Sequence, residues 1–406
     1  MVTQTSHPLG SRVGPARRTR SEACFDNDSI AMPSTPAPIN QLNWKETEYD
    51  PAASVKDTLR ETDWPKLCQL ASDLNNGLSC IPLNETTNGL NNLVRLLQFS
   101  DMTRWVARIA LRRSAADSEK LRSEVHVMQF IRERCSLPVP KVFAYEADEH
   151  NPIGVPFILM EFLPGNTAMD AAGGYEVKLA ALRLPKIGTI HRTRSGEYEI
   201  GPFPDIGGPF TTATAFFEAW AEHARFPRGK DQILELMKGG PAEQVLHAIN
   251  VFPSRFKAIA SWLLHSDEGP FPLCHPDFLH SNIIVNENFN VLGVIDWEGA
   301  CTLPLELLRF PRFLDAMPPQ FDSPENYDQD GRPVDGSLRQ RWEERQDYVQ
   351  MIKSIEHQDN ALSACLSNEK GLALSYCMTA YREGKLGLYD RVLDELESDV
   401  GRQIMM

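Results

Sequence analysis

The chain contains no run of about 18 consecutive apolar residues, which argues against a membrane-spanning helix. An apolar segment of the kind that directs secretion is also missing near Met1. The eight cysteines, Cys24, Cys68, Cys80, Cys135, Cys274, Cys301, Cys365 and Cys377, are scattered. They show neither the close pairs of a zinc site nor the density of a disulfide framework, so free thiols in a reducing compartment are expected. Positive charge is in short supply, with 41 Lys and Arg against 55 Asp and Glu and a formal net charge of -14. That balance argues against nucleic-acid binding, which relies on clustered Lys and Arg. It says little about a cationic partner, because acidity also promotes solubility. No internal repeat is present.

What remains is ordinary for a globular chain: 42% hydrophobic and 24% charged residues over 406 positions. That length accommodates a two-lobed unit with an N-terminal segment. Residues 1–43 are rich in Ser, Thr, Pro and Arg and cannot bury enough apolar surface to order alone, so a disordered tail is expected. Arg12, Arg17, Arg18 and Arg20 precede the first acid, Glu22, as in a mitochondrial presequence. Pro8 and Pro15 interrupt any amphipathic helix there, so a cytoplasmic location is the expectation and mitochondrial import the lesser alternative.

From Asn43 the pattern changes. Leu59, Trp64, Leu67, Leu70, Ala71 and Leu74 recur at helical spacing, with Pro65 placed to open a second helix. Leu93–Phe99, Trp105–Leu111 and Val155–Leu163 read as strands, the first two joined by a hairpin loop, SDMTR. Between the second and third, Leu121, Val125, Met128 and Ile131 predict a helix over Lys120–Glu133. After Gly165 the chain reads as mostly helical, with Thr211–Arg225, Ser254–His265 and Leu338–Leu396 as candidates. The expected organisation is a tail over 1–43, a helical extension over 44–78, a small lobe over 79–163, a helical lobe over 164–396 and a short tail over 397–406.

Two segments carry chemistry. HPDFLHSN, His275–Asn282, is followed by VLGVIDWEG, and Ile283–Val285 and Val291–Ile295 flank a polar NENFN turn as a hairpin would. Its ends would deliver Asn282 and Asp296 to one side, near Asp277. Singly, each residue is an ordinary turn or capping residue. Jointly they match what phosphoryl transfer needs: a carboxylate to orient the attacking group, and an amide with a second carboxylate to hold Mg2+.

With these motifs the sequence resembles the aminoglycoside phosphotransferase superfamily, which includes choline, homoserine and fructosamine kinase-like enzymes and many fungal proteins of unknown substrate. The resemblance runs from about Leu78 to Leu396 through GLNNLVRLLQF, WVARI, SLPVPKVFAYE, NPIGVPFILMEFLPG, IGTI, GPF, HPDFLHSN, VIDWEG and EGKLGLY. Only HPDFLHSN and VIDWE are chemically specific. The resemblance implies an α+β, protein kinase-like two-lobed fold: a small N-lobe with an antiparallel sheet and a helix, and a larger, mostly helical C-lobe. It implies that Asp277 orients or deprotonates the acceptor, that Asn282 and Asp296 bind Mg2+, and that ATP is the phosphoryl donor. His275 would brace the loop, and Glu298 would meet a cationic acceptor or serve a structural hydrogen bond.

Arg108 falls where such enzymes place a phosphate-binding base, commonly lysine, and Glu124 where its carboxylate partner sits. The phosphate-covering turn would include Gly89 and Asn91, although GxGxxG is absent and a plain turn would look the same. The hinge at Glu161, Phe162 and Leu163 would hold the adenine through its backbone. Two features depart from the pattern: the stretch between Gly165 and Ile187 is short, and Gly173 and Gly174 weaken a helix there. They leave open an alternative, a catalytically weak, pseudokinase-like nucleotide-binding or scaffold protein. DWE in place of DFG and the lack of an APE-like segment argue against a protein kinase, so a small-molecule acceptor is expected.

Overall fold

Alternation along a short strand decides where the first lobe puts a buried arginine. In RWVARIA (β3, Arg104–Ala110), Trp105, Ala107 and Ile109 face one way and Arg108 the other. The computed structural model describes residues 53–167, 181–237, 240–262, 264, 266–288, 290–311, 314, 324–356, 361–387 and 389–404. The 1–43 tail and most of the short stretch after Gly165 lie outside these residues.

Two helices come first, α1 (Ala53–Glu61) and α2 (Trp64–Leu74), the latter opened by Asp63, whose carboxylate accepts from Lys66 N at 3.1 Å, with Pro65 in its first turn. Strands β1 (Cys80–Asn88), β2 (Asn92–Phe99), β3, β4 (Val142–Glu146) and β5 (Phe157–Glu161) form an antiparallel sheet in the order β1-β2-β3-β5-β4. The expected strands sit inside it. Its two edges, β1 and β4, are additional: CIPLNETTN is too polar to read as a strand, and Pro82 is tolerated because an edge needs no second ladder. Val55, Leu67 and Ala71 of α1 and α2 pack on the Leu97, Ala107 and Ile109 face, so the expected helical extension is one layer of this lobe's core.

The opposite face receives α3 (Ala115–Arg134), which starts five residues before the expected Lys120. Its start is set by a capping box: Ser114 Oγ accepts from Asp117 N at 3.2 Å, while Asp117 accepts from Ser114 N at 3.0 Å. Leu121 and Val125 in its first half meet Ile158. Val127, Phe130 and Ile131 in its second half join a different cluster, with Phe278, Ile283 and Trp297 of the lower lobe.

Among its described residues the lower lobe begins with strands. β6 (Asn166–Thr167), β7 (Arg183–Leu184), β8 (Gly188–Arg192) and β9 (Tyr198–Gly201) precede its first described helix, Ala213–His223. GTIHR and YEIG carry so few apolar residues that a two-residue period is hard to see, yet Ile190 opposes Ile200 in a regular antiparallel pair. Then follow β10 (Phe271–Cys274), β11 (Ile283–Val285), β12 (Val291–Val294) and β13 (Cys301–Thr302), which complete sheets of order β7-β10-β13-β8-β9 and β12-β11-β6. The chain after Leu163 runs tight against β11, since a Cβ on Gly165 would lie 2.2 Å from Val285 O.

Helices supply the rest. The segment expected as Ser254–His265 belongs to a helix over Ala242–Ile259 that contains Pro253, followed by a 3-10 turn at Ala260–Trp262. Helices at Gly336–Ile355, Ala361–Ser367, Glu369–Arg382 and Tyr389–Ile404 close the chain, the last crossing the expected boundary at 396. Phe217, Phe252, Phe256, Leu374 and Tyr389 form their main core. No helix among the described residues is long and apolar enough to cross a membrane.

Candidate functional site

The loop from β10 to β11 is held from beneath by His275. Its Nδ1 accepts from Asp277 N at 3.2 Å, which requires the Nε2–H tautomer, and Nε2 donates to Ile295 O at 3.1 Å. Burial lowers the pKa of this imidazole, against the backbone carbonyl and the nearby Asp296 and Asp277, which act the other way. His275 is therefore a neutral brace between the Asp277 loop and the segment carrying Asp296. Asn282, 8% exposed, spends its Nδ2 on Asp277, at 2.8 Å to the backbone O and 3.3 Å to Oδ2. Its carbonyl Oδ1 is what remains to offer a cation.

The expected hairpin forms, with Ile283 opposite Val294, and Ile295 N donates to Asn282 O at 2.8 Å. This register brings Asn282 beside the strand end that leads into Asp296. Asp296 has φ +65°, a left-handed conformation tolerated by aspartate better than by most residues and concentrated at functional sites. Trp297 anchors the turn: it is fully buried, its Nε1 donates to Val294 O at 2.9 Å, and its ring centre lies 4.7 Å from that of His275.

From above, Arg108 reaches the same place. Nη1 pairs with Glu124 of α3, Nη2 lies 2.9 Å from Asp296 Oδ1, and Glu298 Oε2 is 3.8 Å away. With the Asn92 amide oriented oxygen-first, that oxygen accepts from Arg108 Nε at 3.1 Å and Nη2 at 2.7 Å. Burial pushes the Arg108 pKa down, but Glu124, Asp296 and Glu298 together outweigh it and raise it. For Glu124, burial and the neighbouring Asp296 and Glu298 overcome Arg108 and push its carboxyl up to about 7. One guanidinium thus faces three carboxylates, a surplus of negative charge that suits a divalent cation.

The donor set itself fits Mg2+. Asn282 and Asp296 offer hard oxygens, and no group of three or more His, Cys, Asp and Glu gathers into a cage among the described residues. Mg2+ is commonly held by one or two protein oxygens with substrate phosphates and water supplying the rest.

The remaining expected residues are placed less uniformly. Gly89 opens the tight turn between β1 and β2, where its N–H donates to Asn92 O at 3.0 Å, and Asn91 Nδ2 donates to both Glu298 oxygens at 3.3 Å. Glu298 therefore serves a hydrogen bond across the cleft. At the hinge, Glu161 N–H already donates to Lys141 O at 2.8 Å and Leu163 O accepts from Gly165 N at 2.9 Å. Of the expected hinge residues, Glu161 thus already has its amide spent on a neighbouring strand end. Asn92 belongs with Asn88, Gly89 and Asn91 to the stretch expected to cover phosphate, but its pairing with Arg108 has no motif to mark it.

A family model described as "Phosphotransferase enzyme family" matches residues 83–305, slightly more than half of the chain. The Saccharomyces cerevisiae protein "Altered inheritance of mitochondria protein 9, mitochondrial" is 22% identical over 288 residues, covering 52% of this chain and 45% of its own length. An Aspergillus fumigatus "Subtelomeric hrmA-associated cluster protein" is 24% identical over 316 residues, covering 60% of each. The chain spans about half the length of the yeast relative. Among solved structures, a Ralstonia eutropha protein described as an aminoglycoside phosphotransferase aligns with a TM-score of 0.46 at 15% identity, over 83% of this chain and 99% of its own.

Proposed function

Because the chain belongs to the phosphotransferase enzyme family, we propose that it transfers the γ-phosphoryl group of ATP to a hydroxyl or amine of a small-molecule acceptor. The observation that carries this reading is the convergence of Asp277, Asn282 and Asp296 at one end of a hairpin with Arg108 above them. Asp277 would accept a hydrogen bond from the attacking group and take its proton as the bond to phosphorus forms. Arg108, held by Glu124 and the Asn92 amide, would bind phosphate oxygens with a planar fork that stays charged throughout. Asn282 and Asp296 would hold Mg2+, which would offset the negative charge that develops on the phosphates. His275 keeps the two halves of the set in register without exchanging a proton.

Nucleotide and a small acceptor are the partners of this reading, with neither nucleic acid nor membrane involved. A cytoplasmic location goes with it, and the mitochondrial name of the yeast relative together with the arginines before Glu22 makes mitochondrial import the alternative to test by fractionation.

The test is consumption of ATP by the purified protein against a panel of alcohols and amines, with Mg2+ and with a chelator. Mg2+-dependent transfer to at least one acceptor class is expected. Nucleotide binding without turnover across the whole panel would favour a scaffold instead, and no nucleotide binding at all would defeat both.

A further inference from the structure

The turn between β1 and β2 is tied to the lower lobe by a side-chain bridge whose two ends are fixed by their own backbones. On the upper side, Asn91 O accepts from Leu111 N at 2.8 Å, and the turn is closed by Gly89 N on Asn92 O at 3.0 Å. These bonds fix the backbone of Asn91 and leave its amide to reach downward, while Leu90 at the tip is 90% exposed and packs on nothing. On the lower side, Glu298 follows the fully buried Trp297 and precedes Gly299, which is left-handed at φ +77°. Asn91 Nδ2 sits 3.3 Å from each Glu298 oxygen, across 207 positions of sequence, and Arg108 stands 3.8 Å from Oε2. The next residue, Asn92, bonds the same arginine.

From this arrangement we infer that Asn91 and Glu298 form a latch that holds the β1–β2 turn down over the cleft and thereby sets the affinity for the nucleotide. The inference rests on the nucleotide-binding reading above. Both are positioning residues. A hydrogen bond between lobes that is already made before the ligand arrives removes part of the ordering cost of closing the turn on phosphates. Its loss should weaken nucleotide binding while Asp277 stays in place, so it should raise KM for ATP more than it lowers kcat.

Charge exchange gives the test. N91D sets two carboxylates against each other, whereas N91D/E298Q restores a donor facing an acceptor with its polarity reversed and the local charge unchanged. Two measurements read the result. Amide hydrogen exchange at residues 89–91 in the nucleotide-free protein should rise in N91D and return towards wild type in the double variant. The dissociation constant for the β,γ-imido analogue of ATP with Mg2+ should rise about tenfold in N91D, the equivalent of one charge-assisted hydrogen bond, and recover in the double variant. Exchange and affinity unaltered by N91D, affinity raised by it, or no recovery in the double variant would overturn the latch. If the wild type fails to bind the analogue, the nucleotide reading falls, and the exchange data still decide whether Asn91 and Glu298 hold the turn.

Discussion

Arg108 and Asp296 touch across the cleft at 2.9 Å, yet 9% of the arginine side chain is exposed against 42% of the aspartate's. The guanidinium is enclosed between the sheet and α3, with Glu124 and Asn92 on it before any ligand is considered. The carboxylate stands at the end of a hairpin in a strained backbone conformation, open to solvent. One member of the pair is therefore part of the architecture as well as the site. The other is carried by an architecture that does not depend on it.

This contrast can be broken in order of effect. Beside both, Asp277→Asn should reduce phosphoryl transfer by about 10²–10⁴-fold, the range for losing a positioned base, with nucleotide affinity little changed. Full turnover in that variant, measured by release of labelled product, would remove Asp277 from the chemistry. Arg108→Ala should cost about 3–5 kcal/mol of folding stability, because it strands Glu124 in the interior without its partner. Asp296→Asn, by contrast, keeps a residue that tolerates left-handed backbone and should stay within about 1 kcal/mol of wild type while losing Mg2+-dependent nucleotide binding. Urea unfolding of both decides the matter, and equal losses would erase the difference argued here.

A smaller effect comes from protonation. Burial and neighbouring carboxylates lift Glu124 to about 7, above the ordinary 4.5, so between those values the folded protein binds more protons than the unfolded chain. Glu124's own contribution to stability should accordingly be fullest below that window and be lost as pH rises through it, while His126 and His275, whose pKa values burial lowers, pull the opposite way. Comparing thermal midpoints of the wild type and Glu124→Gln from pH 4.5 to 8 isolates it, and a wild type that gains on Glu124→Gln as pH rises through the window would contradict the sign. The smallest effect is expected at Leu90→Ser: the exposed tip should change stability by no more than about 0.5 kcal/mol, as calorimetry would show.

What was legible in the sequence follows the range of the interactions involved. HPDFLHSN and VIDWEG lie within twenty residues of each other, and the apolar runs between them fold back on one another as a hairpin, with an irregularity between Ile284 and Val285. Arg108 and Glu124 were legible through the resemblance to the phosphotransferase superfamily, which puts a base on a strand and its carboxylate partner on the next helix, and the strand and helix here bring the two together. The polar edge β1 and the strands from 183 to 201 were not, since their order comes from pairing with neighbours rather than from their own apolar content. Asn91 on Glu298 was invisible for a stronger reason: a contact across 207 residues depends on the completed fold of both lobes. The three residues at the hinge and the two at the turn illustrate a limit of another kind, because backbone donors there leave no imprint on side-chain identity.

The division of α3 between two cores has a mechanical consequence. By chain order this helix belongs with the upper sheet, but Val127, Phe130 and Ile131 share a core with Phe278, Ile283 and Trp297. Ser123 Oγ reaches Ile190 O at 3.4 Å, and Arg192 N donates to His126 at 3.1 Å, so polar contacts reinforce the same attachment. α3 is thus gripped by both lobes at once, and the Arg108–Glu124 pair ties the sheet to a helix that the lower lobe also holds.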